Sequence, residues 1–391
     1  MNSKERKQRR FERRRNKRIE KKEKTVESIG TAEDVFTYKD MFHCGEECCK
    51  GVLWKQSVQN FKRHIFSRTA VNRRKVLREK GYKPKKLSCF TINERGKTRN
   101  IEAPHIDDRQ IQKTLTKKVL LPLYLPQLIY DNGASLKGKG LMFSQNQLDK
   151  AIKKHIKKYG YNGWIIIADF KGFFPNADRS YIKEKHNAIK DEKLRNILNT
   201  VTDSGTGNIG LSIGVEPSQI EMIAYPSSLD NLIACQMKLQ GFGHYMDDYH
   251  ILVPPGRNPK EILSAFIQKA KEYGIIVSKS KTKIIPFGKP FKFCKVKRVF
   301  YGIKIIKCGC RDSIKRARRK IKMFVKNRKI LSVEDVYTSI QSTFAHIKRY
   351  NNHKRYLKIC RLFYSLFKCS LCDFLKNGRK KQNGICLPQA I

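Results

Sequence analysis

Acidic residues are scarce in this chain: 34 Asp and Glu stand against 84 Lys and Arg in 391 residues, a formal net charge of +50. Such an imbalance selects a polyanionic partner, most simply nucleic acid held through its phosphates. Long apolar runs are missing too. No stretch is long enough to span a bilayer, and the first residues are too charged for a secretory signal, so no membrane partner is expected and a cytoplasmic location is. The twelve cysteines lack paired metal-ligand spacing. His43-Cys44-Gly45-Glu46-Glu47-Cys48-Cys49 crowds soft ligands together without a Cys-x-x-Cys partner nearby, and only Cys308-Gly309-Cys310 and Cys369-Ser370-Leu371-Cys372 lie in reserve. Reduced, buried thiols are the simpler reading. The Gly-rich loop Asp131–Gly140 lacks the residue order of a P-loop.

What is present is enough to fold. With 40% hydrophobic residues the chain can build real cores in two or three subdomains. Residues 1 to about 25 form a basic run, a charged helix or a disordered arm. Trp54 to Lys80 reads as helical and basic. Cys89–Pro104 alternates like a hairpin, with Gly96 at its turn and Lys97 and Arg99 just past the tip. Such a doubly basic hairpin can fold over a triphosphate. Residues 105–128 show helical periodicity until Pro122 and Pro126, and 144–160 reads as a basic helix ended by Gly160.

Trp164-Ile165-Ile166-Ile167-Ala168-Asp169 is a continuous apolar run ending on one acid, the pattern of a buried strand. An acid there is costly unless it meets a metal or a cation. Residues 181–200 read as one charged helix. Gly205–Gln219 is a Gly-rich approach to another, which runs from about Pro217 to Leu232 with Ser218 near its cap. Then Phe242–Val253 sets two β-prone runs around Tyr245-Met246-Asp247-Asp248, a hairpin presenting two carboxylates. Residues 259–273 make an amphipathic helix, and Phe300–Ile305 a short strand in which Gly302 permits close backbone approach. From about residue 312 the pattern is helical and basic.

One acid ending a buried strand and two at a hairpin can meet on adjacent strands. Three carboxylates are what two divalent ions need to clamp a triphosphate and a primer hydroxyl. In order and spacing, Ala168-Asp169-Phe170-Lys171-Gly172-Phe173-Phe174, the Gly214–Gln219 turn, Tyr245-Met246-Asp247-Asp248, Lys281-Thr282 and Phe300-Tyr301-Gly302 resemble the reverse transcriptases over roughly residues 90–305. The resemblance implies an α+β right-hand polymerase: fingers, a palm of antiparallel sheet backed by helices, and a helical thumb. It implies a basic arm over 1–30, fingers and N-terminal region over 31–160, palm over 161–306, and thumb with tail over 307–391.

By the same resemblance, Asp169, Asp247 and Asp248, with Phe170, hold two Mg²⁺ ions, Mn²⁺ being the alternative. Lys281 matches the residue that protonates pyrophosphate, and Lys97 and Arg99 grip the incoming dNTP. Phe174 matches the gate against a ribose 2′-hydroxyl; Phe170, Gly214, Ser218, Gln219, Tyr245 and Met246 join the substrate surface. Phe300, Tyr301 and Gly302 match the primer grip. The partners implied are an RNA template, a DNA or RNA primer and dNTPs, with a non-coding RNA or an accessory protein as further candidates. Ile213-Gly214…Ser218-Gln219 stands where retroviral-type enzymes carry Gln-Gly…Ser-Pro. That form is similar to bacterial and phage enzymes, notably those of diversity-generating retroelements and antiphage defence. A template-independent or protein-primed DNA synthase, and a non-catalytic RNA-binding protein on the same fold, are the competing readings.

Overall fold

Threonines start the first packed helices. Thr31 caps α2 (Ala32–Val35) in a reciprocal box with Asp34, and Thr37 caps α3 (Tyr38–Cys49) by accepting from the Asp40 amide. Each side chain fills an amide that the first turn leaves open. The computed structural model describes residues 3–78, 81–94, 97–302, 304–309, 311–327, 336–341, 344, 350 and 353–382. The chain is α+β and divides into two units, residues 1–151 with 166–284 and residues 152–165 with 285–391. Among the described residues no helix is long and apolar enough to cross a membrane.

The first unit begins with α1 (Ser3–Glu27), whose exposed basic length ends where Val26 and Ile29 enter a core with Phe36, Leu115 and Leu123. Helices α4 (Gln56–Arg63) and α5 (Ile65–Val76) follow α3. Strands β1 (Ser88–Glu94) and β2 (Lys97–Ala103) pair antiparallel with Glu94 opposite Lys97; the expected turn residue Gly96 lies outside the described residues. Helix α6 (Ile106–Leu115) does not stop at Pro122. It passes through a π turn at Thr116–Leu120 into α7 (Leu121–Tyr124), where Pro122 sits in the first turn and needs no amide partner. Helix α8 (Leu141–Tyr159) then leads to β3 (Trp164–Asp169).

Two expected helices are broken. The 181–200 stretch is α9 (Arg179–His186) and α10 (Glu192–Thr202), because Asp191 accepts from the Leu194 amide at 2.6 Å and starts a new helix. The 217–232 stretch is α11 (Glu216–Ala224) and α12 (Ser227–Asn231), parted at Pro226. Its N-cap is Val215, and Ser218, 2% exposed, stands near that cap in the first turn, as expected. The four-stranded sheet runs β4–β5–β3–β6, with β4 at Phe242–Tyr245, β5 at Asp248–Val253 and β6 at Lys283–Pro286. Helix α13 (Pro259–Glu272) buries Phe266 against Phe170 and Tyr249 behind the sheet.

The second unit holds an antiparallel sheet β7–β8–β9 (Phe291–Phe293, Val296–Tyr301, Lys304–Gly309). Residues 300–305 are therefore two strands and a turn, not one strand. Gly302 has φ +50, and a Cβ there would meet open space, so the glycine serves the turn and not a close approach. Helices α14 (Arg311–Lys326), α15 (His353–Phe367) and α16 (Leu371–Gln382) surround Ile321, Ile340, Phe344, Ile359 and Phe363. Cys310, one of the reserve thiols, lies outside the described residues.

Candidate active site

Strand β3 is apolar through Ala168 and buried, and it delivers Asp169 at its end with 8% exposure. The next residue turns inward: the Phe170 ring packs 5.3 Å from Tyr249 and 5.2 Å from Phe173. Phe170 thus contributes to the site through its main chain, its side chain being core. Its amide donates to the Asp247 carbonyl at 3.2 Å and ties the end of β3 to the β4–β5 turn.

That turn is short. Tyr245 pairs with Asp248, leaving Met246 and Asp247 as its two central residues. Met246 takes φ +54, a left-handed conformation that costs a side chain about 1–2 kcal/mol. Packing of Tyr245 and Met246 against the first core sets against that cost. Below the turn, His244 stacks on Tyr249 at 4.7 Å, and the Tyr249 hydroxyl donates to Asp230 at 3.0 Å, all three buried.

Lys281 arrives from a separate loop moored to the same acid. The Ser278 amide donates to the Asp169 carbonyl at 2.8 Å, and the Lys281 and Thr282 amides donate back to Ser278. The Lys281 ammonium then reaches Asp169 Oδ1 at 2.5 Å. Burial pushes the Asp247 carboxyl above the usual carboxylate range and the Asp169 charge adds to it, while its own amide, Lys281 and Arg99 pull it down. Partial burial works against the Lys281 charge. The bond and charge of Asp169, with the charges of Asp247 and Asp248, outweigh that effect and hold the amine above its ordinary value. Asp169, Asp247, Asp248, Lys281 and Arg99 therefore share one electrostatic field.

Other expected residues lie in the first unit as well. Phe174 is half-buried, edge-on to Phe173, and its carbonyl accepts from Leu211 at 2.9 Å. Lys97 and Arg99 are exposed on β2. Gly214 and Gln219 line an open cavity of about 530 Å³ together with Ile101, Arg109, Lys117 and Lys137, whereas Ser218 is buried in α11. Phe300, Tyr301 and Gly302 lie in the second unit, where Phe300 packs on Phe287 and Phe291 and Tyr301 is 63% exposed.

Two groups escaped the sequence reading. Glu102, 8% exposed, accepts from the hydroxyls of Thr206 and Ser212. Its only signal was one acid in a basic strand, on the face opposite Lys97 and Arg99. Asp230 beneath Tyr249 gave none, since α12 carries ordinary helical polarity there.

A metal was expected at the carboxylates. Among the described residues no three Asp, Glu, His or Cys side chains form a ready-made cage. The donor chemistry nevertheless suits a hard cation: the Asp169 charge helps hold the Asp247 carboxyl up, as a second nearby carboxylate does, and the cation bonded to Asp169 is Lys281. Among the described residues no cysteine belongs to a metal-holding cluster. Cys44, Cys48 and Cys49 are buried, and burial pushes their thiols up, Cys48 to about 12.

A family model described as reverse transcriptase (RNA-dependent DNA polymerase) matches residues 83–305, more than half of the chain. Among solved structures, the chain is similar to a telomerase from Candida albicans in complex with a TWJ fragment of telomeric RNA. That match is 11% identical, covers 78% of this chain and 61% of the other, and has a TM-score of 0.43. Apo telomerase from Candida tropicalis, truncated from the C-terminal domain, is 13% identical over 57% of this chain and 55% of its own, also with a TM-score of 0.43. The chain thus spans less than two thirds of either telomerase chain. No curated protein matches it.

Proposed function

The chain belongs to the reverse transcriptase family, and from that premise we propose that it is an RNA-directed DNA polymerase that adds dNTPs to a primer 3′-hydroxyl. What supports this reading is the Lys281–Asp169 ion pair at the end of β3, together with the Phe170-to-Asp247 main-chain bond that ties the turn carrying Asp247 and Asp248 to that strand end. Asp169, Asp247 and Asp248, with the Phe170 main chain, would hold Mg²⁺, two ions in this family's manner. When bound, the ions activate the attacking hydroxyl and neutralise the leaving pyrophosphate.

The protein's own groups do the rest. Lys97 and Arg99 hold the triphosphate from β2, and Arg99 offers the forked geometry phosphate prefers. The half-buried Phe174 ring serves as the gate against a ribose 2′-hydroxyl. Lys281, kept protonated by Asp169, hands its proton to the leaving pyrophosphate. Phe300, Tyr301 and Gly302 form the primer grip. Residues 31–160 act as fingers, 161–306 as palm and 307–391 as thumb, and the basic α1 rests on nucleic acid phosphates. The Ile213-Gly214…Ser218-Gln219 form supports a bacterial or phage setting, a retroelement or an antiphage defence system, with a non-coding RNA or an accessory protein as a further partner.

The test is primer extension with a heteropolymeric RNA template, Mg²⁺ and dNTPs, followed by sequencing of the product. Complementary DNA is the expected product. DNA of unrelated sequence made equally well without template would replace this reading with a template-independent synthase. Tight RNA binding with no synthesis under any condition would replace it with a non-catalytic binder.

A further inference from the structure

Glu102 lies on the strand that carries Lys97 and Arg99 but turns the other way. Side chains alternate along β2, so Lys97, Arg99 and Ile101 share one face and Glu102 takes the opposite one. There its carboxylate is sunk against the 204–214 loop. Oε1 accepts from the Thr206 amide at 3.0 Å and from the Thr206 hydroxyl, and Oε2 accepts from the Ser212 hydroxyl. Arg179, whose Nε donates to the Gly210 carbonyl at 2.7 Å, adds positive charge beside it.

The main chain repeats the attachment. The Glu102 amide donates to the Ile213 carbonyl at 2.9 Å. At the next residue, Gly214, φ is +126, and a Cβ would come within 2.7 Å of the Glu102 carbonyl oxygen. A buried carboxylate is costly unless its acceptor positions are filled, and these are filled from one loop alone. That loop leads directly into Gly214 and Gln219.

We infer that Glu102 is a positioning residue that locks the Lys97–Arg99 hairpin to the Gly214–Gln219 turn, so that the two parts of the dNTP surface keep one geometry. The inference rests on the polymerase reading above for its kinetic consequence, but not for its structural one. The bonds of Glu102 go to Thr206, Ser212 and Ile213 and to none of Asp169, Asp247, Asp248 or Lys281. Their loss therefore weakens dNTP capture and leaves the chemical step intact.

The experiment compares full-length wild type, Glu102→Ala and Glu102→Gln by amide hydrogen exchange and by steady-state primer extension. Gln keeps an acceptor for Thr206 and can donate to a rotated Ser212 hydroxyl, so it should behave like wild type. Glu102→Ala should speed exchange in both 97–103 and 204–214. It should raise KM for dNTP about tenfold, leaving kcat and primer–template affinity within about twofold. Faster exchange with unchanged KM, or a fall in kcat without a rise in KM, overturns the positioning role. Unchanged exchange in Glu102→Ala overturns the lock itself, even if the wild type extends no primer and the polymerase reading fails. Should Glu102→Ala not fold, Ser212→Ala removes one donor and should give the same pattern at about threefold in KM; no change in KM or exchange there overturns the inference.

Discussion

Replacing Lys281 by Met separates its charge from its bulk and sets two effects of different size against each other. Its ammonium sits 2.5 Å from Asp169, but its side chain is 47% exposed. As an ion pair it is screened by water and contributes at most about 1 kcal/mol to stability. That moves Tm by less than about 2 °C in a chain longer than 250 residues. As a positioned proton donor it should contribute about 10²-fold or more to the chemical step. Single-turnover primer extension at saturating dNTP should therefore fall about a hundredfold while Tm barely moves. The pH profile supplies the sign. Asp169 holds the amine above its ordinary lysine value, so the wild type stays charged across the neutral range. Lys281→His carries a group of pKa about 6.5, and should recover rate below that pH and lose it above. A Lys281→Met enzyme within about threefold of wild type, or a loss of rate that only tracks loss of fold, refutes the proton-donor role.

Phe174→Ala should open the space over the sugar, and the ratio of dNTP to rNTP incorporation should drop about tenfold or more; an unchanged ratio removes the residue from the gate. Arg99→Ala should raise KM for dNTP about tenfold through loss of charge-assisted bonds, with template affinity measured by filter binding staying as it was. Asp107, 2% exposed, is pushed up by burial but pulled further down by Lys85, His105 and Arg68, so its carboxyl sits below the usual range. Its stabilising effect is thus fully present above the unfolded carboxylate value and is lost as pH falls through the folded one. Asp107→Asn should cost about 1–3 kcal/mol at pH 7 and flatten the acid limb of a urea-unfolding series run from pH 7 down to pH 3.

The strands that carry the candidate site could be read from the chain because their signals are local. The run ending at Asp169 and the alternation around Asp247 and Asp248 depend on neighbours one or two residues away, and the strands lie where that patterning puts them. The hairpin under Lys97 and Arg99 was legible for the same reason. Where reading failed, a local competitor beat the helical period. Asp191 capped a new helix inside an unbroken charged pattern, and Pro226 withdrew an amide within an apolar one. Gly302 looked like a strand glycine because a turn and a close approach select the same residue; only its φ and the empty space beside it separate the two. Glu102 and Asp230 were invisible for another reason. Their partners, Thr206 and Ser212 for one and Tyr249 for the other, lie 19 to 110 positions away in sequence, and no periodicity encodes such a pairing.

The most direct measurement is RNA-templated primer extension by the wild type beside Asp247→Ala, each shown to be folded by its thermal unfolding curve. The wild type should build full-length complementary DNA with Mg²⁺ and lose it on chelation, and Asp247→Ala should incorporate no dNTP above background. Sustained incorporation by a folded Asp247→Ala protein would contradict the assignment of the carboxylate site.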